Sequence, residues 1–101
     1  MEIIQSKNDV SIRLTEERWF HITEEHSEMA GYCFEVLETV ESPEAIYQSG
    51  TEECIATKEI EAGKYIVVIH KEVSKEDGFV ITAFLTRRKK QLERREKLWP
   101  L

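Results

Sequence analysis

The sequence predicts a single α+β domain: a strand, two helices, a three- to four-stranded antiparallel meander and a C-terminal helix. Three observations carry that expectation. Apolar residues recur with a 3.6-residue period between residues 29 and 40, alternate with a period of two after residue 54, and the two patterns occupy separate stretches of the chain. At 101 residues, with 41% hydrophobic residues, two prolines and four glycines, the chain has the composition of one folded unit, residues 1–101, with room for one core.

Val10, Ile12 and Leu14 alternate with Ser11 and Arg13, which predicts a short strand with one buried face. Thr15 follows as an N-cap, with Glu16 and Glu17 at the positive end of a helix dipole, so a first helix is expected over about residues 16 to 26. Met29, Cys33, Val36, Leu37 and Val40 form one apolar stripe of a second helix, opposite Glu35, Glu38 and Glu41. Pro43 disfavours a helical backbone at Ser42 and should end it near Glu41. After Ile46-Tyr47 and the turn at Ser49-Gly50, three strands read at about residues 54 to 60, 64 to 72 and 79 to 85, joined by Glu61-Ala62-Gly63 and by a loop ending in Asp77-Gly78, in a meander of three or four antiparallel strands. Tyr65 to Ile69 is apolar on both alternating faces, which predicts a central strand covered on both sides. Leu85, Leu92 and Trp99, seven apart, suggest that a basic helix over 87–99 docks on the sheet.

The net charge of -6 is unevenly spread. From Arg87 to Leu101 seven basic residues face only Glu93 and Glu96, a local charge of +5, which leaves -11 on the rest. Such a split predicts an anion-binding end on a body that repels bulk nucleic acid. Arg87, Arg88, Lys89 and Lys90 fall in the expected first turn of the last helix, beside the Thr86 hydroxyl, where dipole and cations together would seat a phosphate or carboxylate. A solvated helix whose charges are balanced by the acidic body is the competing reading.

The first helix carries His21 and His26. Trp19, Ile22 and His26 share a face, which suits a half-buried, hydrogen-bonded histidine; Arg18 and His21 lie on an adjoining stripe, where a cation beside an imidazole suits acid–base work on a phosphodiester. The two histidines are five apart, ~140° around an ideal helix, so one substrate reaches both only if the helix breaks between them. Thr82 and Thr86 share one face of the last strand. The chain lacks a Gly-rich phosphate loop, an H-E-x-x-H and zinc spacing, and Cys33 and Cys54 read as reduced core thiols, so no metal or cofactor is expected. No apolar run approaches the ~20 residues of a membrane span, and the first residues lack the features of a secretory signal, so a cytoplasmic location is expected.

The run Leu14-Thr15-Glu16-Glu17-Arg18-Trp19-Phe20-His21-Ile22, the following His26-Ser27-Glu28-Met29, and Asp77 to Arg88 resemble small bacterial and cyanobacterial proteins. Those proteins are grouped with the second family of the phage barnase, EndoU, colicin and RelE-like nuclease fold. The resemblance implies a helix pair on a four-stranded antiparallel sheet and a metal-independent, toxin-like endoribonuclease. In such an enzyme a base activates the ribose 2'-hydroxyl, an acid protonates the leaving 5'-oxygen, and cations hold the phosphoryl oxygens. It implies His21 and His26 as acid–base groups, Arg18 and Arg87 as phosphate clamps with Arg88 and Lys89 beside them, and Thr82 or Thr86 as hydrogen-bond donors. The implied partners are RNA, free or ribosome-bound, or a cognate antitoxin-like protein. The acidic body departs from the basic groove usual in a nuclease. The alternative reading is a non-catalytic module of the same fold that binds an acidic protein, or a second copy of itself, through the basic end; a homodimer is among the possible states.

Overall fold

The computed structural model describes residues 1–101. Seven strands form one mixed sheet: β1 (Glu2–Gln5), β2 (Ser11–Leu14), β3 (Ala45–Ser49), β4 (Glu53–Glu61), β5 (Lys64–Glu72), β6 (Gly78–Thr86) and β7 (Lys97–Trp99), in the spatial order β1-β2-β6-β5-β4-β3-β7. The helices are α1 (Glu16–Glu25), α2 (Cys33–Glu41) and the one-turn α3 (Lys89–Glu93). The α+β class therefore stands, with a larger sheet than the sequence predicts. Strands β3 to β6 are antiparallel neighbours in chain order, while β2 joins β6 in parallel and makes the sheet mixed.

Strands β4, β5 and β6 form where the pattern places them, and β5 is central. Ile66, Val68 and Val80 are buried against α1 and α2 through Ile22, Val36 and Val40, in a cluster of eleven buried apolar residues. The opposite face has a smaller cluster, Tyr47, Ile55, Val67 and Leu92, the last from α3. Thr15 caps α1 as expected, its hydroxyl accepting from the Arg18 amide at 3.0 Å.

Four departures have identifiable causes. Strand β1 has one half-buried and three exposed residues, a pattern too weak to announce a strand; it exists because it pairs with β2. Helix α2 starts at Cys33, not Met29, because Gly31 takes a left-handed φ of 88° that a continuing helix excludes; Met29 is buried in a separate 3₁₀ turn, Ser27–Met29. The one-residue register shift between β5 and β6 at Ile69/His70 leaves Ile81 without a β5 partner, so the faces of β6 do not alternate evenly along its length.

The largest correction concerns the basic helix over 87–99. Only Lys89–Glu93 is helical, Arg87 lies outside it, and Lys97–Trp99 is a strand paired with β3. One turn cannot sustain itself in water, the cations at its start oppose the dipole, and Pro100 favours an extended Trp99. Pairing with Ile46 and Tyr47, the Gln48 amide donating to the Glu96 carbonyl at 2.8 Å, and Lys7 over the Trp99 ring at 4.3 Å hold the segment extended. Leu85, Leu92 and Trp99 consequently share no stripe: Leu85 packs with the helix-side core and Leu92 on the other face.

At the start of β6, β2 and β5 come so close that a Cβ on Gly78 would collide with the Lys71 carbonyl oxygen and lie 2.7 Å from Ile12 Cδ1. Beside it, Glu72 ties down the β1–β2 loop: the Ser6 hydroxyl donates to it at 2.6 Å and the Asn8 amide at 3.0 Å. The buried His70 imidazole (1% exposed) approaches the same carboxylate at 3.5 Å, longer than a well-formed hydrogen bond. His70, then Ser6 and Asn8, lower the Glu72 carboxyl to about 2, although burial pushes the other way. Burial, helped by the Glu72 charge, raises the neighbouring Cys54 thiol to about 11, so it stays protonated near neutrality. Both cysteines are free thiols.

Candidate functional site

The site grows from one face of α1. Arg18, His21, Ile22 and Glu25 follow one another at i, i+3, i+4 and i+7, which lines them up on a single stripe. Ile22 is buried in the core, so its neighbours on the stripe are held against the sheet while their polar ends stay in solvent. The helix ends at Glu25. His26 leaves helical geometry at φ -132° and ψ 77°, and its amide still donates to the Ile22 carbonyl at 2.8 Å.

That break removes the angular obstacle between the two histidines. Arg18, His21, Glu25 and His26 line one open pocket of roughly 490 Å3, with Ile22 beneath and Ile81, Thr82 and Phe84 of β6 forming the other wall. Strand β2 meets β6 only across Gly78 and Phe79, so from Val80 onward this edge of β6 has no strand partner, and α1 runs beside it. The His26 ring leans on Phe84, centroids 5.8 Å apart, and His21 meets the Phe20 ring edge at 6.1 Å. Carboxylates stand near both imidazoles, Glu24 at 3.9 Å from His21 Nδ1 and Glu28 at 3.7 Å from His26 Nδ1. Arg18 forms no ion pair within 4 Å, which leaves its guanidinium available to an incoming anion.

Of the residues singled out from the sequence, Arg18, His21, His26 and Thr82 come together here. Arg87, Arg88 and Lys89 do not. They line a second surface recess of roughly 540 Å3 with Gly63, Tyr65, Lys90, Gln91 and Glu93, which shares no residue with the first. Thr86 lies between them in sequence, its hydroxyl accepting from the Arg88 amide at 3.0 Å. Arg87 is thus not brought to the histidines of α1, and the arginine that lines their pocket is Arg18. The helix-dipole seat also falls away with the long helix.

Glu25 and Phe84 belong to the pocket and were not singled out. Glu25 reads as a solvated acid in isolation, yet it stands seven residues after Arg18 and four after His21, on their stripe. Phe84 alternates onto the face of Thr82. Both signals lie in the spacing. No group of three or more His, Cys, Asp and Glu side chains is arranged to hold a metal ion, and no helix is long and apolar enough to cross a membrane. No protein-family model, curated protein or solved structure matches this chain.

Proposed function

We propose that this protein is a metal-independent, toxin-like endoribonuclease of the cytoplasm whose chemistry takes place in the pocket between α1 and β6. The observation that carries the reading is the convergence of Arg18, His21, His26 and Thr82 on one pocket. Cleavage by 2'-hydroxyl attack needs a group to take the hydroxyl proton, a group to return one to the leaving 5'-oxygen, and a cation at the phosphorus oxygens. His21 and His26 supply the first two, with Glu25 as a further base, and Arg18 supplies the third. Thr82 donates a hydrogen bond to the phosphate, and Phe84 presents an apolar surface for a base or ribose.

The test is cleavage of end-labelled RNA by purified protein in the presence of a chelator, alone and with ribosomes. A 2',3'-cyclic phosphate on the 5' fragment is the expected product, and His21→Ala and His26→Ala should each slow its formation by about 10²–10⁴-fold. Uncut RNA under both conditions, or full activity in both variants, would sink the reading. A second reading, a non-catalytic module that binds an acidic protein, draws support from the position of the Arg87–Lys90 cations outside the pocket. It predicts salt-sensitive association with such a partner and no cleavage.

A further inference from the structure

The basic C-terminal segment concentrates unpaired cations. Arg87, Arg88, Lys89 and Lys90 are exposed, and none of the seven basic residues after Thr86 forms an ion pair within 4 Å. Before Thr86, Arg13, Lys58 and Lys71 pair with Asp77, Glu38 and Glu52, while Lys7, Arg18, Lys64 and Lys75 stand apart from one another without an ion pair. A chain with 20 acidic residues had carboxylates to offer and did not place them here. Glu93 is the one acid lining the recess. An aromatic ring, Tyr65, lies among the cations, with Lys89 Nζ 5.4 Å from its centroid. Unpaired cations around an aromatic ring are the combination that holds single-stranded nucleic acid, charge tracking the backbone and the ring stacking on bases.

Strand β6 connects this surface to the pocket. Thr82, Phe84 and Thr86 face the same way, opposite Ile69, Val67 and Tyr65 of β5, and Arg87 follows directly. At ~3.3 Å per residue, Thr82 and Arg87 are about 17 Å apart along the strand. A dinucleotide in the pocket is too short to reach that far, whereas single-strand sites of this kind span ~4–16 nucleotides. The rest of the chain carries a net charge of -11, which disfavours a polyanion elsewhere on the protein.

We infer that Arg87, Arg88, Lys90 and Tyr65 form a second anion-binding site that takes the flank of a single-stranded RNA whose scissile bond lies in the α1–β6 pocket. The inference rests on the proposed function for the occupant of the pocket, while binding at the basic surface is measurable without cleavage. The site makes the protein prefer long single strands to short ones and makes that preference salt-dependent.

The experiment uses the full chain and a fluorescent ~12-nucleotide single strand in which every ribose is 2'-deoxy, which binds but has no hydroxyl to attack. Each cation lost should lower the slope of log affinity against log salt by about 0.7. The triple variant Arg87→Gln/Arg88→Gln/Lys90→Gln should therefore bind with a slope about 2 smaller and at least tenfold more weakly at low salt. In the cleavage assay, the ratio of kcat/KM for the ribonucleotide 12-mer to that for a dinucleotide should fall toward one in the same variant. An unchanged slope and affinity would overturn the inference. So would a wild-type protein whose salt-sensitive self-association on size-exclusion chromatography is abolished by the triple variant with no loss of oligonucleotide binding, since the surface then belongs to a second copy. Failure of the parent function reads differently: neither ribonucleotide substrate is cut, while the deoxy strand still reports on the basic surface.

Discussion

The α1–β6 pocket and the Arg87–Lys90 surface both offer cations to an anion, and they are held in contrasting ways. Apart from Phe84, which packs on the smaller cluster, the pocket stands on the larger core, through Ile22 of α1 and Val80 and Ala83 of β6, so its side chains project from two long elements locked to each other. The basic surface hangs on a five-residue helix anchored by Leu92, 8% exposed, in a cluster of four buried residues, and on a three-residue strand. Positioned acid–base groups need the first kind of support, because small misplacements are costly in a transition state. Electrostatic capture tolerates the second kind, because attraction between charges falls off slowly with distance.

Substitutions can break this contrast. The largest effect is expected in the pocket: Arg18→Ala should reduce RNA cleavage by about 10²–10³-fold, the loss typical of removing one oxyanion-stabilising group, with an unchanged circular dichroism spectrum. Next comes the core beneath it, where Ile22→Ala should lower global stability by about 3 kcal/mol in urea unfolding. Gly78→Ala, which forces a methyl against the Lys71 carbonyl and Ile12, should cost about 2 kcal/mol or more by the same assay. Leu92→Ala sharpens the comparison: it should increase amide exchange in residues 87–99 while β5 and β6 stay protected, a local loosening of the less firmly held region.

The smallest expected effect is on acid stability at the start of β6, where Glu72 is the partner of Gly78. The Glu72 carboxyl is lowered to about 2, against about 4.3 for an unstructured glutamate. Its contribution is therefore fully present above pH ~4.3 and lost as the pH falls from there toward 2. Glu72→Gln should flatten the pH dependence of the urea midpoint across that window and lower stability at pH 7 by roughly 1–2 kcal/mol. An unaltered acid limb in the variant would show that His70, Ser6 and Asn8 do not hold the Glu72 carboxyl low.

What the sequence makes legible follows from how local each cause is. The α1 cap, the α2 stripe, and strands β4 to β6 rest on neighbours within a few residues, and all are readable. Strand β1, strand β7 and the parallel β2–β6 contact rest on pairing with distant segments, which no local pattern announces. The basic run reads as a long helix because Leu85, Leu92 and Trp99 are seven apart, yet pairing with β3 overrides that spacing. For the site, the stripe of Arg18 and His21 was readable and Glu25 lies on the same spacing. That His26 joins them depends on α1 ending at Glu25, a boundary set by the 3₁₀ turn after it. That Arg87 stands apart depends on where β6 ends relative to α1, which only the folded chain determines.

The most direct test of the division between pocket and basic surface is a backbone and histidine side-chain NMR titration of the full chain with a 2'-deoxy dinucleotide. Shifts should concentrate at Arg18, His21, His26 and Thr82, with Arg87 to Lys90 moving only when the strand is lengthened to about twelve nucleotides. A dinucleotide that shifts Arg87 to Lys90 and leaves both histidines unmoved would contradict the account.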